Sequence, residues 1–162
     1  MTDEPASPVC YAADGSDAYM GYAERDEILA ALNELLEAEK AGARVALNSS
    51  KSTSPTGYAP LMQDVRKDEA HWCAMLTRHI QRIGGVPSSA TGAFLGKAMA
   101  IADPLERLAF LNRGQAWVVK RIETITPRIR DESLHADLRD MAEKHRVNIG
   151  IADAFLEGHA DR

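Results

Sequence analysis

The chain has 162 residues, enough for one domain whose core needs neither a disulfide nor a metal to hold it. Hydrophobic residues make up 45% and charged residues 27%, and abundant Ala, Leu, Glu and Arg with few β-branched runs point to an all-α fold. A net charge of −5 without a block of like charges lacks the concentrated basic face that phosphate binding needs, so nucleic acid is not expected as a partner.

Residues 1–24 are acidic, contain proline and show no sustained period, and they read as a flexible tail ahead of a single helical domain over 25–158. The tail holds no apolar segment of the kind found in a signal peptide, and no run in the chain approaches membrane length. A soluble, cytoplasmic protein that engages no membrane is expected. Cys10 lies in the tail and Cys73 in a predicted helix. They form no metal-ligand spacing, no structural disulfide is expected, and Cys73 reads as a small buried side chain.

The first helix runs from about Asp26 to Asn48, with Ile28, Leu29, Leu32, Leu35, Leu36, Glu39, Ala43 and Ala46 on one stripe. Ser49 to Gly57 is a loop by composition. The second helix spans Tyr58 to Ile83, carries Leu61, Val65, Trp72, Leu76 and Ile83 on its stripe, and stops at Gly84 and Gly85. From Gly84 to Asp103 the chain holds a loop and a short apolar stretch, AFLGKAMAIA. Asp103 and Pro104 supply a cap and a first-turn proline for the third helix, which Pro127 is placed to end. Asp131 can cap the fourth, with Leu134, Leu138, Met141, Ile149, Ala152 and Phe155 on its stripe. The first and third connections are short and favour antiparallel neighbours, while the second is long enough to span the bundle end to end. The fold expected is therefore two antiparallel helical hairpins joined by one long crossover.

Polar residues interrupt these stripes. Side chains turn about 100° per residue, which places Glu39 within roughly 20° of the first stripe's centre. Asp68 and Glu69 straddle the second stripe, Asn112 and Gln115 sit within the third, and His145 is central in the fourth. Glu39, Glu69, Gln115 and His145 each fall near the middle of their helix, so antiparallel packing brings them to one level. A buried carboxylate alone loses several kcal/mol of solvation, so a cation or a hydrogen-bond network must compensate these groups.

In these segments the chain resembles the ferritin-like superfamily, bacterioferritin and rubrerythrin in particular. LNELLEAEKAGA (Leu32 to Ala43) looks like that family's first metal-bearing helix, KDEAHWCAMLTRHIQRIGGVPS (Lys67 to Ser88) like its second, and NRGQAW (Asn112 to Trp117) sits where the third carries a glutamate. The resemblance implies a ferritin-like four-helix bundle with one carboxylate on each of two helices and a Glu-x-x-His pair on each of the others. Under it Glu39, Glu69 and His145 are metal ligands, while Trp72, Gln115 and Ala142 stand where further ligands would be. A one-residue shift would instead offer Asp68 and His71 as a ligand pair, although His71 then lies roughly 100° off the apolar centre. The di-metal site is thus degenerate. Iron, manganese or zinc would suit the remaining carboxylates and imidazole. Gln115 and Asn112 could orient a cofactor or satisfy the acids. Two functions stay open: a metal-binding protein with oxygen or redox chemistry, and a non-catalytic bundle that binds an unidentified small molecule or a protein. A homodimer is expected by analogy with the family.

Overall fold

The computed structural model describes residues 17–160, so Cys10 and most of the predicted tail lie outside the described residues. Five helices follow in order: α1 (Arg25–Ser49), α2 (Tyr58–Arg82), the short α3 (Phe94–Met99), α4 (Pro104–Ile125) and α5 (Glu132–His159). A single 3-10 turn, Thr126–Arg128, follows α4. The long helices form two antiparallel hairpins, α1 with α2 and α4 with α5, and residues 83–103 with α3 make the crossover. No described helix is long and apolar enough to cross a membrane.

Local chemistry sets the ends of these helices. Asp103 accepts from the Glu106 amide at 2.9 Å and caps α4, and Asp131 caps α5 through the Leu134 amide at 2.9 Å. At the end of α2 the Gly85 amide donates to Ile80 O and the Gly84 amide to Gln81 O, closing the last turn with Gly84 at φ +81°. A side chain at Gly85 would stand 2.3 Å from Leu29, so glycine is required there for close packing as well.

The crossover is held along the polar face of α1. Arg25 donates to the carbonyls of Ile83 and Gly84, and Asn33 both donates to Val86 O and accepts from the Ser88 amide. Glu37 accepts from the Ser88 hydroxyl at 2.6 Å, and the Lys40 ammonium binds Ser88 O. Residues 17–23 turn back onto the bundle, where the Ala23 amide donates to Arg128 O and Ala23 is buried.

The apolar interior falls into two clusters. One gathers Leu32, Leu35, Leu36, Leu76, Ile122 and Leu138. The other gathers Val45, Tyr58, Met62, Leu108, Leu111 and Ala152 at the opposite end. A layer of polar side chains lies between them.

Asp131 does two jobs, since the Arg82 guanidinium also binds it at 2.8 Å and holds its carboxyl below the usual range. We predict that Asp131→Ala lowers stability by about 1–2 kcal/mol, and that Asp131→Asn, which keeps the cap but loses the charge, recovers at least half. Urea unfolding of both variants checks this; equal losses would show that the cap contributes nothing.

Candidate metal centre

Glu39 of α1, Glu69 of α2 and His145 of α5 meet in the polar layer, their ligand-capable atoms all within 4.8 Å of one another. They are 0%, 4% and 2% exposed, so each is buried. Each helix delivers its residue by the same rule. Glu39 continues the buried stripe of Leu32, Leu35 and Leu36, and His145 follows Leu138 and Met141. Gln115 of α4 completes the layer, its Nε2 donating to Glu69 Oε1 at 3.5 Å.

His145 is fixed at both nitrogens. Nδ1 lies 2.9 Å from Met141 O, an acceptor, so Nδ1 carries hydrogen. Nε2 then faces Glu39 Oε1 at 3.0 Å. That contact needs a proton from one partner, or a cation in place of the proton. An imidazole whose Nδ1–H is held by a backbone carbonyl presents Nε2 as a metal ligand.

Burial pushes the Glu39 carboxyl up to about 7, and a hydrogen bond with Glu69 partly opposes this. Burial likewise raises Glu69 well above the usual carboxylate range, helped by the charge of Glu39 and opposed by His145. Both shifts favour protonated carboxyls when no cation is present. Burial and the same two acids push the Cys73 thiol up to about 12, which leaves it a poor nucleophile near neutral pH.

Space is provided by Gly42, one turn beyond Glu39 on α1. A Cβ there would stand 2.9 Å from Glu69 Oε2, so only glycine lets the carboxyl lie against α1. Glu39 Oε2 is buried without a donor. Three hard or borderline donors from three helices, a spare carboxylate oxygen and this hollow fit one divalent transition-metal ion. Among the described residues no further carboxylate, imidazole or thiol joins these three, which is too few donors for two ions.

Asp68, His71 and Asn112 are not brought into this group. Asp68 accepts from Asn148 at 2.9 Å and faces Lys144 at 3.6 Å. His71 is exposed, with its ring edge-on to Trp72 at 4.5 Å between centroids. Asn112 donates to Ile149 O and Asp153, one level along the bundle. A step of one residue turns a side chain by about 100°, which is enough to carry Asp68 out of a layer that holds Glu69. His79, buried on the second stripe, pairs with Asp137 at 2.6 Å and with Arg82, tying α2 to α5 away from the layer. Gly42 is the participant that the residue pattern did not single out. A glycine inside a helix, where it costs about 1 kcal/mol, is the signal that could have found it.

Four antiparallel helices in two hairpins joined by one long crossover make a ferritin-like fold. The chain belongs to the family described as a domain of unknown function (DUF6306), which it matches over residues 26–154. It also resembles the crystal structure of a ferritin-like, diiron-carboxylate protein from Bacillus anthracis str. Ames. The TM-score is 0.74 at 20% identity, covering 82% of this chain and 96% of that one. Comparison with curated proteins finds no match.

The raised Glu39 carboxyl predicts a pH dependence for the metal-free protein. Its folded pKa of about 7 exceeds the ordinary 4.5, so the folded state binds the proton more tightly than the unfolded state does. The contribution of this group is complete below 4.5, falls as pH rises, and levels off above about 7. The loss from this group is on the order of 3 kcal/mol. Melting curves in chelator should show it, and Glu39→Gln should make the profile shallower, with Glu69 keeping the rest; an unchanged profile in the variant would assign the dependence to other groups.

Proposed function

We propose that this protein holds one first-row divalent metal ion in its core, on Glu39, Glu69 and His145, and serves oxygen or redox chemistry there. The observation that carries the reading is the meeting of three buried donors from three helices, with Glu39 Oε2 left without a donor. The diiron-carboxylate description of a protein with the same fold supports it by analogy.

Charge balance gives the reading its physical basis. Two ionised carboxylates and a neutral imidazole carry two negative charges, which a divalent ion cancels without any proton. Without the ion the same neutrality takes two protons, so metal uptake displaces protons and strengthens as pH rises. Iron or manganese bound by three protein groups would supply one-electron chemistry and keep positions open for a small molecule.

The chain's own residues do the rest. Met141 O keeps the His145 ring oriented, Gln115 holds the Glu69 carboxyl, and Gly42 gives it room. The two apolar clusters exclude water from both sides. One observation favours the alternative of a non-catalytic bundle: Glu39, Glu69 and His145 can satisfy one another through shared protons.

Elemental analysis of untagged protein, beside a Glu39→Ala/His145→Ala variant, separates the two. The expected result is about one iron, manganese or zinc per chain, lost in the variant. No metal in either protein after reconstitution with ferrous iron would sink the metal reading and leave a hydrogen-bonded polar core.

A further inference from the structure

A cleft of about 320 Å3 lies between α1, α4 and the crossover around Thr91–Phe94, and its lining reaches the polar layer at Glu39, Glu69 and His145. Ala38, Phe94, Leu111, Trp117 and Val118 make its walls apolar. The walls are preformed. Phe94 stacks on Phe110 with centroids 4.8 Å apart, and it approaches α4 at Gly114, where a Cβ would stand 2.8 Å from the ring. The cleft is large enough for a ligand of one or two rings, since a cavity of about 150 Å3 already holds benzene.

Two polar atoms in this lining lack a protein partner, Glu39 Oε2 in the proposed metal-binding group and Gln115 Oε1 beside it. Gln115 is 5% exposed and spends its amide N–H on Glu69, which leaves its Oε1 buried with no donor. An occupant that gives Oε1 a hydrogen bond removes a penalty of about 1–3 kcal/mol. The charges beside the cleft narrow the choice further. Glu34 is paired with Arg121 and Glu37 with the Ser88 hydroxyl, so an incoming anion meets two carboxylates. An incoming cation would give up its hydration for apolar walls.

We infer that this cleft binds a small, uncharged aromatic molecule carrying one hydroxyl or N–H group, which donates to Gln115 Oε1 while the ring packs between Phe94, Trp117 and Val118. The inference goes beyond the metal reading and does not depend on it, because Gln115 binds Glu69 through its nitrogen and meets the ligand through its oxygen.

Phenol and toluene, alike in shape but differing in the donor, are the probes. Binding is measured by calorimetry and by the Trp117 indole N–H resonance, first in chelator-treated protein and again with manganese added. Phenol should bind tighter than toluene by about five- to tenfold, the value of one hydrogen bond to a buried acceptor. Gln115→Leu, which keeps the shape and removes the oxygen, should equalise the two. Thr91→Trp, which fills the cleft from the crossover, should weaken both by at least about tenfold. Melting curves establish that both variants fold. Equal binding of phenol and toluene, a phenol preference that survives Gln115→Leu, or no shift of the Trp117 signal would each overturn the inference. Phenol bound by protein that takes up no metal would end the metal reading alone, and metal bound by protein that ignores phenol would end this one alone.

Discussion

The contact between Glu39 and His145 is the constraint around which the bundle is organised. Two ionisable groups from helices far apart in sequence lie 3.0 Å from each other with almost no access to water. Breaking one partner of such a pair leaves an uncompensated buried charge, a loss of about 3–5 kcal/mol. α1 and α5 are therefore fixed in both rotation and height. A one-residue turn of either helix would carry its polar group about 100° away and bury an apolar side chain against the remaining charge. Glu69 and Gln115 extend the same condition to α2 and α4, so one layer sets the phase of all four long helices. Hydrophobic burial supplies most of the stability, but it is non-directional and does not choose among rotations.

That layer also explains the shape of the core. The apolar residues separate into two clusters, one around Leu35, Leu76 and Leu138 and the other around Tyr58, Met62 and Leu111. The crossover then makes the two sides of the bundle unlike. Arg25, Asn33, Glu37 and Lys40 hold its backbone on α1. Phe94 reaches across to α4 at Gly114. A polar helix face thus positions a connecting segment, and that segment walls a cleft which the four long helices alone would leave open.

Much of this was legible in the residues. Caps and stops mark the helices because Asp103, Asp131 and Gly84 act through contacts within a few residues. The meeting of Glu39, Glu69, Gln115 and His145 was legible because it needs only the helical period and antiparallel packing. The core was less so. Leu61 sits on the expected stripe but is half-buried, whereas Tyr58, Met62 and Met75 are buried. A helix packing against several neighbours buries a broad face, and a single line of residues does not capture its width. The outer face of α1 reads as solvated, since nothing in its own sequence reveals that the backbone of residues 83–88 lies along it. The cleft is invisible for the same reason, being made by chain that is distant in sequence.

The chemistry open to the layer follows from counting its charges. Glu39, Glu69 and His145 are neutral together with two protons or would be with one divalent ion. The number of donors, not their geometry alone, limits the site to one ion. The family resemblance puts the missing donors at Trp72, Gln115 and Ala142, and these are an indole, an amide engaged with Glu69, and a methyl group. The replacements are not equivalent to empty space. Trp72 packs in the larger apolar cluster, and Gln115 lines the cleft that leads toward Glu39. Gln115 belongs to both accounts, since it holds the Glu69 carboxyl through its amide nitrogen and also lines the cleft.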